Sequence, residues 1–111
     1  KAPDFFDGES LLPILREGKN NDRKGVLGQL AGHFVAFEQR MWRRDDYKLI
    51  FNATDVGELY DLKNDPQELH NLFYDEKYSK IKREMLEELH AEMVKIKDPL
   101  ENWLYRIIYE I

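Results

Sequence analysis

The sequence predicts an α+β fold: a small antiparallel β-sheet of three to four strands with a long amphipathic helix packed across one face. Three observations predict it. His33 to Arg44 and Tyr47 to Asn52 are runs rich in aromatic and β-branched residues, separated by the turn-forming pair Asp45-Asp46. Glu58 to Leu62 follows at hairpin distance, across Ala53-Thr54-Asp55-Val56-Gly57. Tyr78, Ile81, Met85, Leu89, Met93 and Ile96 then recur at spacings of three and four, the period of one helix face.

The elements follow in chain order. Asp7-Gly8-Glu9-Ser10 reads as a turn into a short helix from Leu11 to Glu17, with Ser10 as cap, Pro13 in the first turn and Gly18 just past the end. Lys19 to Gly32 is polar and contains glycine, so it reads as loop. In the second strand Tyr47, Leu49 and Phe51 share one face, and Lys48, Ile50 and Asn52 the other. Asp65-Pro66-Gln67-Glu68 has the pattern of a capped start for a second short helix, ending near Leu72 or Phe73. The long helix begins after Asp75 and stops at Asp98-Pro99. The tail, Trp103 to Ile111, has the aromatic and β-branched content of a fourth strand, with helix as the alternative. Residues 1–111 make a single domain.

Composition excludes several functions. The chain has 111 residues and a formal charge of -5, so it lacks the basic face of a nucleic-acid module. Without cysteine it has no disulfide, thiolate metal site or cysteine nucleophile. No apolar run approaches the ~20 residues that span a bilayer. The start, Lys1-Ala2-Pro3-Asp4, carries neither an initiator methionine nor a signal-peptide pattern, and reads as lying inside a longer polypeptide.

Chemistry is sparse. His33, His70 and His90 stand apart, outside any HExxH spacing. His70 and His90 read as surface residues, whereas His33 begins a strand beside a loop and is the histidine placed to reach a pocket. Glu84, Glu87, Glu88 and Glu92 alternate with basic residues and read as a solvated helix face. Asp61 to Asp65 lacks the glycine and closing glutamate of a calcium loop. No glycine-rich phosphate loop or GxSxG elbow is present. Arg40, Arg43, Arg44 and Lys48 cluster in sequence with Trp42 and Tyr47, but alternation divides them between two faces. They suit local ion pairs or a pocket wall that meets a planar oxyanion.

Three stretches carry a family resemblance. Asp7-Gly8-Glu9-Ser10-Leu11-Leu12-Pro13-Ile14-Leu15 is similar to the "DG-x-S-L-L-P-L-L" segment of sulfatases. Arg40-Met41-Trp42-Arg43-Arg44-Asp45-Asp46-Tyr47-Lys48-Leu49-Ile50-Phe51-Asn52 resembles their "R-M-V-R-T-D-R-Y-K-L-I-Y-N" hairpin. Glu58-Leu59-Tyr60-Asp61-Leu62-Lys63-Asn64-Asp65-Pro66-Gln67-Glu68-Leu69-His70-Asn71-Leu72 resembles "E-L-Y-D-L-x-x-D-P-x-E-x-x-N-L". The likeness runs over residues 4–98 and leaves 99–111 as an unmatched tail. Arg44 and Trp42 stand where the family usually has Thr and Val.

The resemblance implies the C-terminal subdomain of a sulfatase, a sulfuric ester hydrolase of the alkaline-phosphatase-like superfamily. It implies a catalytic domain in the same chain as partner, a sulfated small molecule or glycan as the parent's substrate, and a secreted or periplasmic parent. The parent's formylglycine, made from Cys or Ser in C/S-x-P-x-R, and its divalent cation, commonly calcium, belong to that catalytic domain. No cofactor falls within this segment, which is expected to be inactive alone. Placed beside the active-site cleft, it would offer His33, Arg40 and Arg43 to the substrate. Its exposed face could drive dimerisation in isolation. Two other readings stay open: a stand-alone interaction module that adds its tail as a strand, and a fragment of a related phosphate or phosphonate ester hydrolase.

Overall fold

A computed structural model describes residues 3, 5, 8–19, 23–32, 34 and 37–110. The elements in order are α1 (Leu12–Glu17), β1 (Val26–Ala31), β2 (Glu38–Arg44), β3 (Tyr47–Asn52), β4 (Glu58–Asp61), a single 3-10 turn (Glu76–Tyr78), α2 (Ser79–Lys95) and α3 (Glu101–Tyr109). The four strands form one antiparallel meander in the order β1-β2-β3-β4. The predicted α+β class is the observed one, with α2 lying across one face of the sheet.

Strand alternation divides the sheet into two surfaces. Cross-strand rows place Leu27, Trp42, Leu49 and Leu59 together on the helix side. The next rows there hold Gln29, Arg40 and Phe51, and Arg44, Tyr47 and Asp61. Met85, Leu86, Leu89 and Met93 of α2 and Leu104 and Ile108 of α3 close over them. Leu49, Leu59, Met85, Leu89, Met93 and Leu104 are fully buried, and each side chain contributes about 1.5–3 kcal/mol by leaving water. Gly25 allows Trp42 into this layer, because a Cβ there would lie 2.5 Å from the indole ring.

Five local readings change. β1 occupies part of the stretch read as loop. Val26-Leu27-Gly28-Gln29-Leu30-Ala31 alternates weakly and gains its strand identity only by pairing with β2. Conversely β2 starts at Glu38, five residues later than the His33 expected from composition. The tail is helix, not strand. Leu100, Leu104, Ile107 and Ile108 share one helical face and pack on the core. Ile96 lies outside the buried stripe, half exposed beyond the end of α2.

A further change concerns the expected capped helix at Asp65-Pro66, which forms a chain of turns. Glu68 adopts φ 57°, outside any right-handed helix, and its carboxylate pairs with Lys48 at 2.5 Å instead of closing a capping box. Asp65 accepts from the His70 N–H at 2.8 Å. These turns return the chain along the open side of β4. Asn71 Oδ1 accepts from the N–H groups of Leu59 (3.1 Å) and Phe73 (3.0 Å), Asn71 Nδ2 donates to the Gly57 carbonyl (3.1 Å), and the Leu72 N–H donates to the Leu59 carbonyl (2.8 Å). The sheet edge is thus capped by a side chain and one amide, not by another strand.

Replacing Asn71 by Ala leaves the Leu59 N–H without its protein acceptor, for a loss of about 1–3 kcal/mol. Urea unfolding should show that loss as a lower midpoint with an unchanged slope. An unchanged midpoint would mean that water replaces the amide at no cost.

Candidate functional site

The polar side chains on the helix side of the sheet are joined in two knots. Arg40 is buried, and its Nε and Nη2 donate to the two Asp98 carboxylate oxygens at 2.6 and 3.2 Å. The same guanidinium reaches Glu38 at 3.0 Å and the Gln39 carbonyl at 2.9 Å. Gln29 adds a third donor to Asp98 at 2.6 Å. Asp98 is presented by the corner between α2 and α3. Lys97 takes φ 55°, the Asp98 N–H donates to the Met93 carbonyl at 2.9 Å, and the Lys97 N–H donates to Val94 at 3.1 Å. This is a Schellman-type helix end with lysine in the usual glycine position. Asp98 Oδ1 then accepts the Leu100 N–H at 2.9 Å, leading into α3.

The second knot is a fork on Glu88, which accepts from Trp42 Nε1 at 2.9 Å and from Arg44 Nη1 at 2.7 Å. Burial alone would raise the Asp98 pKa, but the hydrogen bonds from Arg40, Leu100 and Gln29 outweigh it and hold the pKa below the ordinary carboxylate value. The hydrogen bonds that Arg40 donates to Asp98 in turn raise the Arg40 pKa. Both groups are therefore charged at neutral pH.

The described core helices α2 and α3 lie on the other side, away from the opposite surface of the sheet. Val26, Arg43, Lys48 and Tyr60 form one row, and Gly28, Met41, Ile50 and Glu58 the next. A hollow of about 300 Å³ opens over Gly28, walled by Leu30, Met41, Ile50 and Lys48. Elsewhere on the sheet Asn52 Nδ2 donates to Glu58 at 3.1 Å, and the Tyr60 hydroxyl donates to Glu58 at 2.6 Å. That bond, with burial, pushes the Tyr60 pKa up to about 12. A second hollow of about 440 Å³, at the β1 edge, brings Arg23, Lys24 and Lys95 around Trp42.

The structure separates the two arginines read as substrate contacts. Arg40 and Arg43 lie on opposite faces of β2, with Arg40 buried in its ion pair and Arg43 exposed. His33 lies outside the described residues. His70 is exposed, as read, whereas His90 is half-buried between the helices, with Nε2 3.4 Å from Glu101 and its ring beside Tyr105. The residues missed in sequence are Asp98 and Gln29. Asp98 read as a helix stop and Gln29 as loop, and nothing in a local window links either to Arg40.

A catalytic constellation is not assembled among the described residues. No group of three or more His, Asp or Glu side chains is placed to hold a metal ion there. The sequence has no cysteine, and neither Ser10 nor Ser79 stands in S-x-P-x-R. The described residues do not assemble a calcium site and the sequence offers no precursor of formylglycine, so no chemical step is derived through either. No helix among the described residues is long and apolar enough to cross a membrane.

Comparison with known proteins follows this architecture. The family described as "N-sulphoglucosamine sulphohydrolase, C-terminal" matches residues 1–95, and the chain belongs to that family. It is 69% identical over its whole length to an uncharacterised protein of Haemophilus influenzae (strain Rd), of which it spans 57%. It is 34% identical to the N-acetylglucosamine-6-O-sulfatase of Bacteroides thetaiotaomicron, with 88% of the chain matched to 19% of that enzyme. The solved structure of a 2-O GAG sulfatase superimposes with a TM-score of 0.81 at 34% identity, over 92% of this chain and 23% of the other. The chain therefore spans a little over half of the first relative and about a fifth of the sulfatases.

Removing one partner of the Arg40–Asp98 pair strands a buried charge, and Arg40→Ala should cost about 3–5 kcal/mol. Asp98→Asn tests the pH linkage. Because the folded pKa is lowered, the stability from Asp98 is present above the unfolded value of about 3.9 and is lost as pH falls through the folded value. The Asn variant should be less stable at neutral pH and lose less further stability in acid. Melting curves between neutral pH and about pH 2.5 check this, and parallel declines for the two proteins would contradict it.

Proposed function

We propose that this chain is the C-terminal accessory subdomain of a sulfatase that hydrolyses sulfate esters, with the chemistry supplied by a catalytic domain in the same polypeptide. The observation that carries the reading is the family match over residues 1–95, supported by a shared fold with a 2-O GAG sulfatase. The named relatives act on sulfated sugars, which makes a sulfated saccharide the favoured substrate class. In this reading the segment packs beside the active-site cleft and supplies part of its wall. Formylglycine and a divalent cation, commonly calcium, belong to the catalytic domain.

Of the two candidate arginines, Arg43 makes no ion pair with a described carboxylate and stands open on the sheet face, so it is the one suited to a sulfate. His33 stands as a second contact. Arg40 serves the wall indirectly, by holding β2 against the α2–α3 corner.

A second reading has its own observation. The Haemophilus relative is far shorter than the sulfatases, since this chain spans 57% of it against 19% of the Bacteroides enzyme. A polypeptide of that length favours a stand-alone interaction module. Intact-mass measurement of the native product separates the two readings.

The isolated chain should release no sulfate from 4-methylumbelliferyl sulfate or glucosamine 6-sulfate, while the native polypeptide does. In the native polypeptide Arg43→Ala should raise KM roughly tenfold, the loss of one charge-assisted hydrogen bond, and leave the melting temperature unchanged. A native product without a catalytic domain sinks the sulfatase reading, and an unchanged KM removes Arg43 from the wall.

A further inference from the structure

Helix α1 is well terminated but almost unpacked. Ser10 Oγ accepts from the Leu12 N–H at 3.3 Å, Pro13 sits in the first turn, and Gly18, at φ 65°, donates its N–H to the Ile14 carbonyl at 3.0 Å. Yet no residue of α1 is buried. Leu11, Leu12 and Leu15, on one side by helical spacing, are 62%, 51% and 77% exposed. A helix of six residues is far shorter than the ~12–15 at which isolated helices become marginal in water. Its caps set the ends, but they cannot supply the packing that sustains most protein helices.

We infer that α1 is the docking helix of this domain, and that Leu11, Leu12 and Leu15 seat in an apolar groove on the sulfatase catalytic domain of the same polypeptide. The inference rests on the proposed function and names the surface through which the two parts meet. Two observations select this occupant. The matched family segment is C-terminal, and the sulfatases it matches extend well beyond it, this chain covering only 19% and 23% of two of them. A second copy of this chain is a poor occupant, because three leucines on each side fall well short of the roughly 1,200–2,000 Å² of a stable association. Within one polypeptide the effective concentration is high, and a small apolar anchor suffices.

Hydrogen–deuterium exchange followed by mass spectrometry tests this on the 111-residue chain and on the native polypeptide. In the chain alone, α1 amides should exchange at coil rates while β3 and α2 are protected. In the native polypeptide α1 should be protected by at least roughly tenfold. The double variant L12D/L15D should abolish that protection and lower the native melting temperature, yet leave the melting temperature of the isolated chain unchanged. Protection of α1 in the isolated monomer would overturn the inference, as would protection that appears only with rising concentration, which would assign the face to a second copy. A native polypeptide with no catalytic domain sinks this inference together with the proposed function. A catalytic domain present with α1 still unprotected sinks the docking helix alone.

Discussion

The ion pair between Arg40 and Asp98 joins the two layers of the domain. It connects the middle of β2 to the corner where α2 ends and α3 begins, with Gln29 drawing β1 into the same knot. A buried ion pair adds little net stability compared with a well-packed apolar replacement, and its desolvation is costly. Its value here is positional. Asp98 must leave α2 through a left-handed Lys97 and then receive the Leu100 N–H, so one carboxylate sets both the end of α2 and the entry to α3. If the pair were displaced, Leu104 and Ile108 would lose the alignment that covers the sheet.

The two edges of the sheet are managed differently. β4 is closed by Asn71 and Leu72, which satisfy the Leu59 amide and carbonyl. This gives a physical account of the long segment from Glu58 to Leu72. Its aspartates and Asn71 build turns and an edge cap, Leu59 and Leu72 pack inward, and Leu69, expected to do the same, is exposed. β1 has no such cover among the described elements, and its six residues carry no charge to discourage pairing. The open sheet face and the exposed leucines of α1 are likewise without described cover, while the outer side of α2 is richly charged.

That division fits the family to which the chain belongs. The described residues show a scaffold whose buried charged groups, Arg40, Asp61 and Asp98, are hydrogen-bonded within the domain, as are the half-buried Arg44 and Glu88. An active site needs groups held ready for a substrate, with pKa values tuned to exchange protons near neutrality. The shifts here run the other way. Asp98, Asp61 and Asp65 are held in the ionised form, and Tyr60 in the neutral one. These are the marks of structural hydrogen bonding.

The sequence alone determined the α+β class, the β2–β3 hairpin about Asp45-Asp46, the stripe of α2 and the family. Each is written locally, in side-chain period or in an unbroken motif. Short-range signals misled where two local patterns competed. Asp65-Pro66 with Glu68 reads as a capping box, but Glu68 is drawn away to Lys48. The tail carries strand-forming residues, but Leu100, Leu104, Ile107 and Ile108 match a helical face once a core exists to receive them. Only the tertiary structure decided that Gln29 belongs to a strand, that Arg40 is spent on Asp98 and that Arg43 is left exposed. Arg40 and Asp98 are far apart in the chain, and one residue of alternation separates a buried guanidinium from a solvated one. Partners at such distance are chosen by packing, which no local window of sequence contains.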